Sequence, residues 1–312
     1  MTDSSHVLSH TRPHQTPEHL TRTALVLGGG GSTGNAWLLG VIAGLAESGL
    51  DVTQADRIIG TSAGATAAAQ ITGASPSQLL ADILSAAPMH KTRPAASPDA
   101  RGPSGPVTDQ LDRTNRIIAA ATDAADMRRR MGAAAIELGA VWDGSGSARW
   151  RAMVAARLPS PLWPDTSLLI TAVDALTGDP VVFDRHSGVD LADAVAASTS
   201  SASAYRIGER LFIDGGYRRN ENADLAAGCQ RVLVLSPFGG RTRYPLEWGT
   251  QLAAQIDGLR AGGSRVETVV PDDAAEAFFG ANAMDLTLRP PAAKAGQQQG
   301  VALAERLTAF WH

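Results

Sequence analysis

Two spacings of apolar residues alternate along the chain. Residues 23–27, TALVL, form a short apolar run of strand length, and between 35 and 48 Leu38, Val41, Ile42 and Leu45 recur at the spacing of one helix face, with Gly49 placed to end it. Residues 57–60 make a second strand. From Ala63 the small-residue stretch AGATAAAQI runs as a helix to Gly73, so the chain opens β-α-β-α, which implies parallel strands and a right-handed crossover. Residues 77–86 read as a further helix, 88–107 as a long loop rich in proline, glycine and serine, and 109–139 as one helical stretch. Five more short strands are expected at 168–173, 181–183, 211–213, 232–235 and 266–270, with helices or turns between them and a closing amphipathic helix within 291–311. Strands alternating with helices from end to end predict an α/β fold with a mainly parallel sheet.

The 312 residues are 44% hydrophobic and 19% charged, which suits one large domain, assigned to residues 23–312. A net charge of -4 offers no basic field, so nucleic acid is excluded as a partner. The basic run MRRRM at 127–131 reads as a solvated helix face. Cys229 is the sole cysteine, which rules out internal disulfides and multi-cysteine metal sites and suits a reducing compartment. Residues 1–22 are polar, with His6, His10, His14 and His19 irregularly spaced. They lack the apolar core of a signal peptide and read as a disordered tail. No run approaches the roughly 18 apolar residues of a membrane span, and a cytoplasmic protein is expected.

The first candidate chemistry is LVLGGGGSTGNAW at 25–37. Gly29, Gly31 and Gly34 satisfy G-x-G-x-x-G between a strand and a helix, the setting of a dinucleotide fingerprint. That fingerprint needs an acidic residue at the carboxyl end of the second strand to bind ribose. Gly60, Thr61 and Ser62 stand there, and Asp56 precedes the strand. A phosphate-binding P-loop fails as well, because Asn35 follows Gly34 where lysine is required.

In place of the acid stands Gly60-Thr61-Ser62-Ala63-Gly64, a G-x-S-x-G between strand and helix. Gly60 and Gly64 leave room for strand and helix to pass, and the sharp turn exposes the serine hydroxyl as a nucleophile. A β-α-β unit puts both loops at adjacent carboxyl ends, so the amides of Gly30, Gly31 and Ser32 are available to an oxyanion. The base is less direct. After Ser62 the histidines are His90 in the proline-rich loop, His186 in the turn DRHSG and His312 at the last position. Asp214-Gly215-Gly216 ends the strand LFI and offers a carboxylate instead, its glycines allowing close backbone packing. On spacing alone, a base and a tight turn both remain open.

Taken together, GGGxxG at 29–34, GTSAG at 60–64 and DGG at 214–216 closely resemble the patatin-like phospholipase family over about residues 23–310. The resemblance implies a three-layer α/β/α fold and a lipid acyl hydrolase of the phospholipase A or lysophospholipase type. It implies Ser62 as nucleophile and Asp214 as base, in a dyad without histidine, cofactor or metal. The oxyanion hole falls at Gly29, Gly30, Gly31 and Ser32, and Gly34, Gly60, Gly64, Gly215 and Gly216 support the motifs. The implied partner is a lipid or phospholipid substrate met through peripheral membrane contact. Two features depart from the family pattern. The family commonly has Arg or Lys where Thr33 stands, so a positive charge beside the hole is expected to be missing. It also carries a proline after Ala-Ser before the aspartate, which residues 196–216 lack. A non-catalytic lipid- or partner-binding member of the fold and a nucleotide-binding protein are the alternatives.

Overall fold

Alternation within TALVL sends Leu25 and Leu27 to one side of the strand and Ala24 and Val26 to the other. In the computed structural model, which describes residues 23–86, 107–140 and 145–312, both sides are covered. This strand, β1 (Thr23–Leu27), leads through the glycine loop into α1 (Gly31–Glu47), and β2 (Arg57–Gly60) leads into α2 (Ala63–Ile71). Four helices follow: α3 (Pro76–Ser85), α4 (Val107–Ala120), α5 (Ala124–Ala140) and α6 (Ser145–Ala155). The chain continues through β3 (Ser167–Asp174), β4 (Pro180–Phe183), α7 (Leu191–Ser198), β5 (Tyr205–Ile207) and β6 (Arg210–Asp214). It ends with β7 (Arg231–Leu235), α8 (Leu252–Ala261), β8 (Arg265–Val269) and α9 (Arg289–Trp311).

Leu25, Leu27, Ile58, Ile170 and Leu233 share a core with residues of α1, α2, α3, α7 and α9. On the opposite face Ala24, Val26, Ile59, Val232 and Val234 meet α8 and the turn at 223–226. A third cluster joins Val173 and Ile213 to α4 and α5. The result is a three-layer α/β/α sandwich. Strands buried on both faces read as near-continuous apolar runs, which is why the inner parallel strands β1, β2 and β7 were legible.

The neighbours β3, β2, β1, β7 and β8 run parallel, whereas β4 and β6 oppose β3 and β5 opposes β6. Register decides where the site lies. Ile170 pairs with both Gly60 of β2 and Phe183 of β4, and Ala172 pairs with both Asp214 of β6 and Val181 of β4. A ladder position has two edges, so β2 and β6 lie along the same edge of β3 and approach each other end to end. Asp214 was expected at a carboxyl edge like that of the parallel strands. It reaches that place on a strand running the other way.

Three other expectations change. The helical stretch at 109–139 breaks at 121–123, where Asp123 accepts the amide of Asp126 (2.7 Å) and Asp126 accepts that of Thr122 (3.1 Å), two caps that start a new helix. The run at 127–131 is only partly a solvated face. Met127 and Met131 are core residues and Arg128 Nε donates to the Gly178 carbonyl (2.7 Å), while Arg129 and Arg130 pair with Asp126. Finally, α1 begins at Gly31, earlier than its apolar stripe suggests, so the loop glycines enter the helix itself. The tail at 1–22 and the loop at 88–106 lie outside the described residues, while Val107 opens α4.

Candidate active site

Ser62 follows β2 and caps α2 with φ 53°, ψ -115°, a left-handed backbone that costs a non-glycine residue of order 1–3 kcal/mol. The surroundings enforce it. A Cβ on Gly60 would lie 2.6 Å from Ala65 Cα, and one on Gly64 would run into the Leu27 carbonyl, so strand and helix pass only because both positions are glycine. The Ser62 amide donates to Ser198 Oγ (2.9 Å), and its hydroxyl donates to Asp214 Oδ2 (2.7 Å).

Asp214 is 6% exposed, and its other oxygen accepts the Gly216 amide (2.8 Å). Burial pushes the carboxyl up to about 6, against the opposing pull of the Ser62 hydroxyl and the Gly216 amide. That value suits a base working near neutrality. Gly215 packs against Thr171 of β3 rather than against the serine, leaving no room for a side chain there. The junction between the two end-to-end strands is held by Asn222, wholly buried and itself left-handed (φ 53°). Its Nδ2 lies within donor range of Thr61 Oγ1 (3.0 Å), Thr171 Oγ1 (3.2 Å), the Gly215 carbonyl (3.2 Å) and the Arg219 carbonyl (2.7 Å).

The glycine loop closes the third side. A Cβ on Gly29 would lie 3.6 Å from Ser62 Cβ, which brings loop and serine together. A Cβ on Gly30 would lie 2.5 Å from Pro237 Cβ, and Gly34 packs on the same proline. Gly31 has φ 66° and sits against the Ala283 carbonyl. One correction concerns the hole. The Gly29 amide is committed to the Asn220 carbonyl (3.0 Å), so Gly29 is not a free donor. The amides of Gly30, Gly31 and Ser32 carry no hydrogen bond among the described residues, as expected for the first turn of a helix, and remain to receive an anion.

Among the described residues, no histidine takes part in this arrangement. His186 lies in an exposed turn after β4, across β3 from β2, and its amide is tied to Asp184 (2.9 Å); His312 ends the chain, exposed, and His90 is outside the described residues. Asp56 accepts the Thr23 amide (2.9 Å) at the amino ends of β1 and β2, away from the loops. Among the described residues no cluster of three or more His, Cys, Asp or Glu forms a metal centre.

Sequence reasoning missed Ser198, Asn220, Asn222 and Arg289. Ser198 stands in the Ala-Ser step whose following proline is absent, and it accepts the Ser62 amide nonetheless. Asn220 bridges the Gly29 carbonyl (3.3 Å) and Glu221 (2.9 Å), a buried acid whose carboxyl is raised by desolvation. Arg289 Nη1 donates to the Ser32 carbonyl (2.7 Å) from the other end of the chain.

No curated protein matches the sequence. Among solved structures, VipD from Legionella pneumophila aligns with a TM-score of 0.43 and 14% identity, covering 92% of this chain and 67% of VipD. The type III effector protein ExoU aligns with a TM-score of 0.40 and 18% identity, covering 93% of this chain and 53% of ExoU. The chain thus spans about two-thirds of the first and half of the second. A family model described as Patatin-like phospholipase matches residues 25–227, which hold the glycine loop, Ser62 and Asp214. That match spans more than half of the chain, and the chain belongs to the patatin-like phospholipase family.

Proposed function

We propose that the protein is a serine hydrolase of lipid or phospholipid esters working through a Ser62–Asp214 dyad. Ser62 Oγ attacks the ester carbonyl while Asp214 takes its proton, and the amides of Gly30, Gly31 and Ser32 receive the charge that develops on the carbonyl oxygen. Asp214 returns the proton to the departing alcohol, and water, deprotonated by the same carboxylate, releases the acyl group. The observation that carries this reading is the 2.7 Å bond from a serine in left-handed backbone to a buried, ionisable aspartate. Strain of that kind persists where a side chain must be presented.

The family description supports a lipid substrate. Among the described residues no helix is long and apolar enough to cross a membrane. An open groove of about 610 Å³ is lined by Asn115, Arg243 and Glu247 as well as Ile118, Leu246, Trp248 and Tyr244, whose hydroxyl donates to the Gly216 carbonyl (3.3 Å).

A fluorophosphonate probe with phospholipid vesicles and a short p-nitrophenyl ester tests the proposal. Labelling and turnover are expected in the wild type and absent in S62A. An unlabelled wild type that still binds vesicles would replace the enzyme by a lipid-binding protein, and a thermal shift with NAD(P) would revive the nucleotide reading.

A further inference from the structure

Four glycines bring two distant helices into contact. A Cβ on Gly40 of α1 would run into the Ala293 carbonyl and one on Gly44 into that of Gln297, while Gly296 and Gly300 of α9 press on the carbonyls of Trp37 and Val41. Partners rise together along both helices, so α9 runs parallel to α1 and their first turns lie side by side. Arg289, the first residue of α9, therefore meets Ser32. Its Nη1 donates to the Ser32 carbonyl (2.7 Å) and hydroxyl (3.2 Å), and its Nη2 donates to Asn35 Oδ1 (3.0 Å). Asn35 in turn donates to Gln70 Oε1 of α2 (2.9 Å), the helix that Ser62 caps.

The same turn of α1 is gripped again just upstream. The Thr33 amide donates to the Ala283 carbonyl (3.0 Å) and its hydroxyl to that of Phe278 (2.8 Å), and Thr33 is wholly buried. A long cationic side chain at position 33 would lose the hydroxyl contact and have to fit where Thr33 is wholly buried. The segment from 278 to 289 lies beyond the matched family region, yet it binds the polar groups of this turn directly after the unused amides.

For stability alone, this guanidinium is badly placed. It stands at the amino ends of two parallel helices, where the backbone dipoles favour a negative charge. It is half-buried, no carboxylate acts on it among the described residues, and the one charge that acts on it there is another cation, Arg157. A cation without a counter-charge depends on its hydrogen bonds, here those to Ser32 and Asn35.

We propose that Arg289 is a positioning residue of the site: through Ser32 and Asn35 it fixes the first turn of α1, whose amides receive the oxyanion. This rests on the serine-hydrolase reading. The test measures kcat and KM on p-nitrophenyl butyrate for wild type, R289K and R289Q. Active sites are counted with a fluorophosphonate, and melting and the pH profile are followed in parallel. R289Q is expected to lose about 10- to 100-fold in kcat per titrated site with KM little changed. R289K, which keeps the charge but cannot span Ser32 and Asn35 together, falls in between. The acid limb stays in place, because Arg289 is not among the groups acting on Asp214.

A wild-type kcat per site in R289Q overturns the proposal whatever happens to melting. So does a wild-type kcat in R289K, which decides the matter if R289Q does not fold. A moved acid limb overturns it by placing the effect on the dyad. A wild type that neither labels nor turns over removes the hydrolase reading and this inference with it, whereas an active wild type beside an unchanged R289Q removes this inference alone.

Discussion

The turns after β1 and β2 solve the same geometric problem differently. Each takes a chain from a buried strand into a helix, and each needs one left-handed residue at the helix start: Gly31 at φ 66° in the first and Ser62 at φ 53° in the second. The first turn is glycine because only its backbone is used, and a side chain would collide with the Ala283 carbonyl. In the second turn the chain accepts strain so as to keep a hydroxyl. On the proposed reading, the contrast separates the two jobs of an acyl-transfer site: amide donors need absent side chains, and the nucleophile needs one present.

Removing the side chain that the second turn strains to present breaks the comparison most sharply. S62A is expected to lose ester turnover by on the order of 10⁴-fold or more. S62G is expected to be as inactive but more stable by about 1 kcal/mol, because glycine carries no penalty at this backbone. A melting scan beside the assay checks both, and an S62G less stable than wild type would refute the strain argument.

D214N comes next, with an expected loss of about 10³- to 10⁴-fold. Its stability carries separate information. Folding raises the Asp214 carboxyl from 3.8 to about 6, so between those values the folded chain holds more protons than the unfolded one. That contribution is fully present below about pH 4 and is lost as pH rises through about 6. Asparagine keeps the bond geometry without the charge. D214N should therefore gain on wild type in melting temperature as pH is raised from 4 to 7, and a constant difference would contradict the buried carboxylate.

Converting the first turn to something like the second gives a smaller effect. G31A places a side chain at positive φ against Ala283, and kcat is expected to fall about 100-fold with a lowered melting point. In wild type, kcat/KM should drop about tenfold per pH unit below about pH 6, the limb set by ionisation of Asp214. H186A should change turnover less than twofold, since that histidine sits in an exposed turn. A larger loss would favour a triad with histidine as base.

The parallel strands β1, β2, β3 and β7 were legible because each holds an apolar run bounded by glycine or polar residues, and both loops were legible because their glycines sit at strand-to-helix junctions. β5 and α7 escaped notice. β5 is three residues of the polar hairpin YRIGER, and α7 is a short alanine-rich segment that alternates with aspartate and serine. The break before α5 depended on Asp123 capping a turn that helical periodicity alone does not mark.

What the sequence determined by itself was local: strand, glycine turn and helix twice over, with a serine where a nucleotide-binding acid would stand. Spacing along the chain encodes such units because their contacts are between near neighbours. Only the tertiary structure decided that β6 runs opposite to β2 and brings Asp214 to Ser62, and that the Gly29 amide is already used. It also decided that Arg289 reaches Ser32 across 257 positions. Those facts follow from sheet register and from glycines on two helices that let their backbones touch, and neither relation has a period that a single sequence displays.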